Sequence, residues 1–198
     1  MMPSQQLRAD VVAERAAFAG VQAGLDAERV LFVDESGIER GMRTAYGYAP
    51  RHTRCREHAP FRVGRRTSVL GWVGLRGGHF APMTGTVDGG VFARFVEYGL
   101  VPHLRPGDVV IWDNARIHGA EAVRLVEATG ARVVAQPRYS PDKNAIEPAW
   151  SKVKERVRRL RADTAEALDA ALHAAVATLT SEDVRGWMRH CGYPTEPT

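Results

Sequence analysis

The chain has 198 residues, 44% of them apolar and 25% charged, and a formal net charge of +4. That length favours one domain, and that mixture excludes the disordered, fibrous and collagen-like classes. No uninterrupted apolar run approaches the roughly 20 residues that span a bilayer, and residues 1–18 lack the apolar centre of a signal peptide, so a cytoplasmic protein with no membrane partner is expected.

Residues 5–24 are alanine-rich, with apolar positions at Leu7, Val11, Val12, Ala16, Phe18 and Val21. They read as a weakly amphipathic helix, a lead-in arm within residues 1–26. Residues 30–34 form the first strand, an apolar run that ends on Asp34-Glu35-Ser36-Gly37. Side chains alternate along a strand, so only one of Asp34 and Glu35 can join a shared site. Residues 41–50 and 61–63 suggest a short second strand and a basic connector, and residues 67–75 a third strand rich in β-formers. Gly77-Gly78 turns the chain into a returning strand over residues 79–87.

Asp88 is placed to cap a helix over residues 91–101, which Pro102 and Pro106-Gly107 stop. The continuous apolar run at 109–112 reads as a buried strand delivering Asp113 to a sheet edge, where open α/β sheets place their chemistry. A helix over 120–128, closed by Gly130, leads to another buried strand at 131–135. Asn144 is expected to cap a long helix with Ile146, Trp150, Val153, Val157 and Leu160 as its apolar stripe. Helical segments near 164–179 and 181–190 end the chain. The order implies a mixed α/β sheet flanked by helices. Cys55 and Cys191 show no Cys-x-x-Cys pattern, which points to reduced thiols.

Two strand ends and one helix start each carry a carboxylate: Asp34, Asp113 and Glu147. Taken singly, an aspartate after a strand is an ordinary turn residue. The matched settings point instead to a shared site, whose oxygen donors suit Mg²⁺ or Mn²⁺; two ions about 3.5–4 Å apart would serve an in-line phosphoryl displacement. Asp142 is a rival third carboxylate, but Glu147 is preferred because it falls in the first helical turn. Asn114, His118 and Asn144 are candidates for support around the ligands, each with a structural role as the alternative.

Basic residues gather at 51–66 and 152–161. Arg51, Arg54, Arg65, Arg66, Lys152, Lys154 and Arg158 are read as contacts along a phosphate backbone, the alternative being a solvated surface. His52, Cys55 and His58 have zinc-ligand types but lack a convincing second pair, so no zinc site is expected. Gly77-Gly78 and Gly89-Gly90 lack the lysine and serine of a nucleotide-binding loop. Tyr139 and Ser140 have no base at useful spacing and read as turn residues.

Three blocks carry a resemblance: residues 33–37, Val-Asp-Glu-Ser-Gly; residues 107–118, Gly-Asp-Val-Val-Ile-Trp-Asp-Asn-Ala-Arg-Ile-His; and residues 137–154, beginning Pro-Arg-Tyr-Ser-Pro-Asp-Lys-Asn-Ala-Ile-Glu. They resemble the DDE transposases of bacterial insertion sequences in the mariner-like superfamily, over nearly the whole chain from about residue 27. The 34 positions from Asp113 to Glu147 are close to the interval of that family. The resemblance implies a ribonuclease-H-like catalytic domain over residues 27–198 and a triad of Asp34, Asp113 and Glu147. It also implies Mg²⁺-dependent cutting at terminal inverted repeats and joining of the freed 3′ hydroxyl to target DNA, by a homodimer. Lys143 and Ala145 stand where the family usually has leucine and proline. Family members normally carry helix-turn-helix modules ahead of this domain, and fewer than 30 residues precede the first strand here. Recognition of element ends is therefore expected either to come from a separate helix-turn-helix chain or to be missing. A ribonuclease-H-like nuclease without strand transfer, or an inactive DNA- or partner-binding remnant, are the other readings.

Overall fold

The computed structural model describes residues 4–56, 58, 66–83 and 85–195. The expected strand segment at 61–63 and Arg65 lie outside them.

At the centre is β1 (Val30–Glu39), whose Val30, Leu31, Phe32 and Val33 are all buried, as a strand covered on both faces requires. It runs past the acidic cluster because β2 (Arg66–Gly74) pairs with it antiparallel out to Glu39 opposite Arg66. Pairing with a partner distant in sequence thus extends a stretch of low strand propensity. The short strand expected over residues 41–50 is not formed; the chain turns at Gly41, with φ 74°, into a loop. A hairpin leads to β3 (Gly77–Met83), an edge strand that tolerates Pro82, where a missing N–H removes no ladder bond from the interior.

The Asp88 carboxylate accepts from Val91 N at 2.9 Å and caps α2 (Gly89–Phe95), which continues as wider and then tighter turns to His103. Then come β4 (Val109–Trp112), α3 (Ala120–Glu127) and β5 (Arg132–Ala135), with Gly130 at φ 81° ending the helix side of the crossover. Both β4 and β5 run parallel to β1, giving the sheet order β3-β2-β1-β4-β5. Three helices follow: α4 (Ile146–Leu160), α5 (Ala165–Val176) and α6 (Ser181–His190). Pro148 lies in the first turn of α4, where its absent N–H has no helical partner to lose.

Alternation along the strands sorts the core into two layers. Phe32 and Ile111 pack with Ile146, Trp150, Val153 and Val157 of α4, backed by Leu172 and Met188. Leu31, Val33, Val110 and Trp112 pack on the other face with Phe92, Phe95 and Val126. Each large side chain buried this way contributes roughly 1.5–3 kcal/mol, so α4 is held to its face by several such contacts. Before β1, α1 (Ala9–Ala23) turns Val11, Phe18 and Gln22 inward. Among the described residues, no helix is long and apolar enough to cross a membrane.

Candidate active site

The register of the parallel strands builds the site. Phe32 of β1 lies beside Ile111 of β4, and Asp34 and Asp113 each follow two residues later. Two residues preserve the face, so both aspartates leave the sheet on the Phe32 and Ile111 side, the side that α4 covers. Glu35 leaves the other way. Glu147 stands in the first turn of α4, and all three carboxylates line one cleft of about 370 Å³ with Asn114, Gln136, Arg138, Ser140 and Asn144.

Each carboxylate has a distinct environment. Burial, then the nearby charges of Glu147 and Asp113, push Asp34 up from an ordinary 3.8 to about 7. Two donors oppose that rise: Glu35 N to Oδ1 at 2.8 Å and Trp150 Nε1 to Oδ2 at 3.0 Å. Partial desolvation also raises Glu147, with Lys154 pulling the other way. Asp113 is held below its usual value, chiefly by His118. His118 Nδ1 lies 2.8 Å from the Asp113 carbonyl oxygen and 3.1 Å from Oδ1, which also accepts from Ala115 N at 2.9 Å. The imidazole is wedged between Phe92 and Trp112, with ring centroids 4.3 and 5.3 Å away, so its role in this arrangement is to fix Asp113.

Asn114 donates to Gln136 O at 2.7 Å and laces the ends of β4 and β5 together. Asn144 does not cap α4: the cap position is Ala145, with no side-chain cap bond. A tight turn at Pro141–Lys143 delays the helix by one residue, and the backbone carbonyl of Asn144 takes the Glu147 N–H at 3.1 Å. Asp142 is engaged elsewhere, by a two-pronged bond from Arg15. The all-oxygen donor set suits a hard divalent cation, whose charge would offset both the burial and the neighbouring negative charge that raise Asp34. Among the described residues, no group of three or more histidine, cysteine, aspartate or glutamate side chains is gathered closely enough to hold a metal ion as the side chains stand.

Of the basic residues, Lys154 and Arg158 follow Glu147 at seven and eleven positions on the same helical face. Lys152 points away, bonded to Asp183 of α6 at 2.6 Å. Arg51 and Arg54 are exposed in the loop after β1, and Arg66 is exposed at the start of β2. Trp150 was expected only as core; its spacing of three from Glu147 is the signal that both share a face. Arg15 and Arg138 had no local signal.

The family model described as DDE superfamily endonuclease matches residues 29–169. No curated protein matches the chain in sequence. Among solved structures, the chain is similar to the Mos1 transposase paired-end complex with left transposon end, at TM-score 0.74 and 19% identity, over 96% of this chain and 60% of that one. It is also similar to the Mos1 mariner paired end complex with Mn, at 0.65 and 17%, over 96% and 60%. The Mos1 transposase catalytic domain with Raltegravir and Mg matches at 0.66 and 16%, over 93% of each chain. These likenesses establish a ribonuclease-H-like fold of the kind seen in transposase catalytic domains; the chain spans about 60% of the longer Mos1 chains.

Proposed function

Since the chain belongs to the DDE superfamily of endonucleases, we propose that it is the catalytic domain of a DNA transposase in which Asp34, Asp113 and Glu147 are the catalytic carboxylates. The observation that carries this reading is their convergence: β1, β4 and α4 bring the three to one cleft through parallel register and helix packing. The residues would hold Mg²⁺ or Mn²⁺, two ions in the full site; the chemistry such a pair supplies when bound is activation of the attacking oxygen and stabilisation of the leaving one. Trp150 and the Glu35 amide orient Asp34, and His118 keeps Asp113 ionised and in place. The chain needs no covalent nucleophile of its own.

The substrate is DNA: element terminal repeats first, then target DNA, to which the freed 3′ hydroxyl is joined. Lys154 and Arg158 extend from Glu147 as phosphate contacts, with Arg51, Arg54 and Arg66 on the loop side. A homodimer acting in the cytoplasm handles two ends together. The Mos1 structures with transposon end and with Mn or Mg support this reading by fold.

The test is joining of a pre-nicked, labelled duplex end to a second duplex with Mg²⁺ or Mn²⁺. Joined product that vanishes in Asp113→Asn and Glu147→Gln supports strand transfer. Cleavage without joining would replace it with a nuclease, and neither activity would leave the inactive-remnant reading.

A further inference from the structure

Helix α1 lies outside residues 29–169, the stretch the family model matches, yet it grips the loop that leads into Glu147. Its inward stripe runs Val11, Arg15, Phe18, Gln22, at helical spacings of four, three and four. Two of those residues are polar, and both have partners. Gln22, 2% exposed, donates to Cys191 O at 2.7 Å and anchors the helix. Arg15, with a side chain 21% exposed, closes a fork on Asp142: Nη1 to Oδ1 at 2.9 Å and Nη2 to Oδ2 at 2.7 Å. Its Nη1 also donates to Ser140 Oγ at 2.7 Å.

The same helix takes hold of the loop a second time. Arg138 Nη2 donates to Glu14 Oε1 at 2.6 Å and to Asp10 Oδ2 at 2.7 Å. From the opposite side, Tyr193 Oη donates to Lys143 O at 2.9 Å. Between these anchors Tyr139 is held at φ 54°, in the left-handed region that a non-glycine residue enters only when its surroundings require it. The carbonyl of Asn144, at the end of this loop, receives the Glu147 N–H.

We propose that Arg15 is a positioning residue for the active site: by fixing residues 138–144 it sets where Glu147 stands, and by occupying both Asp142 oxygens it keeps that carboxylate from competing for a cation. α1 is then a working part of the site. The inference rests on the reading of Asp34, Asp113 and Glu147 as a metal-holding set. A guanidinium is suited to this because its planar fork matches a carboxylate at two points, which an ammonium cannot do.

The test is calorimetric titration of the full chain with Mn²⁺ in the presence of a duplex oligonucleotide, alongside thermal unfolding, for wild type, Arg15→Gln, Arg15→Lys and the exchanged pair Arg15→Asp with Asp142→Arg. Arg15→Gln is expected to weaken Mn²⁺ binding roughly 10-fold, the low end of what loss of a supporting residue costs a metal site. Arg15→Lys should fall between, and the exchanged pair should recover most of the affinity. Unchanged Mn²⁺ affinity in folded Arg15→Gln, or an exchanged pair that regains thermal stability without regaining affinity, overturns the inference and leaves the metal site standing. A wild-type protein that binds no Mn²⁺ even with DNA overturns both.

Discussion

The indole N–H of Trp150 donates to Oδ2 of Asp34 across 3.0 Å, joining α4 to β1 at the floor of the cleft. Trp150 is also edge-on to Phe80, with centroids 4.7 Å apart, and is almost wholly buried. One helix turn therefore delivers both Glu147 and the group that orients Asp34. Trp150→Phe keeps most of the packing and removes only the donor. It is expected to cost about 1–3 kcal/mol of stability, the penalty for leaving a buried acceptor short of a partner, and to raise Asp34 further. Chemical denaturation and carboxyl-carbon NMR titration measure both. Trp150→Ala would cost roughly 3–5 kcal/mol and confound the two effects.

Gly71 lies directly opposite Asp34 in the β1–β2 ladder. A Cβ there would stand 2.6 Å from the Phe80 ring and 3.0 Å from the Trp150 ring. Gly71→Ala is expected to push Trp150 off Asp34, at about 1–3 kcal/mol for the overpacked core. Wild-type stability with an unshifted tryptophan fluorescence spectrum would contradict it.

The raised Asp34 makes stability depend on pH in a definite direction. Its folded value of about 7 exceeds the ordinary 3.8, so between those limits the folded state holds a proton that the unfolded state has released. Stability from this group is therefore full below pH 4 and lost as pH rises to 7, on the order of 3 kcal/mol after discounting its residual exposure. Asp34→Asn should abolish that slope and unfold several degrees above wild type at pH 8 without metal. Parallel denaturation curves for the two proteins across this window would refute the assignment.

His118 acts oppositely on Asp113, whose depressed value adds stability above the unfolded pKa that is lost as pH falls through the folded one. His118→Phe preserves the contact with Phe92 and Trp112 but removes the ring nitrogen. Asp113 should then titrate closer to its ordinary value, and acid unfolding should begin at higher pH. NMR titration of the Asp113 carboxyl carbon reads this directly.

The carboxylates were legible in the sequence because each closes a local pattern: an apolar run that stops on an acid, or an acid in a first helical turn. The outward half of β1 was not, since its strand character comes from β2, more than 25 residues later. The inward face of α1 was misjudged for a related reason. Val12 and Val21 belong to the apolar positions of its sequence, yet they are 52% and 42% exposed, while Arg15 and Gln22 point inward. Polar residues that find buried partners only through tertiary contact leave no mark on an apolar periodicity. Asn144 is not the cap because the turn at Pro141–Lys143 holds the Asn144 N–H on the Pro141 carbonyl and shifts the helix start to Ala145, leaving the Asn144 backbone carbonyl to take the Glu147 N–H.

The most direct measurement is Mn²⁺ titration of wild type, Asp113→Asn and Glu147→Gln in the presence of duplex DNA. Residues delivered by β4 and α4 to one cleft should act as one site, so binding is predicted in wild type and its loss in both variants. Wild-type affinity retained in both would contradict a shared metal site and the function built on it.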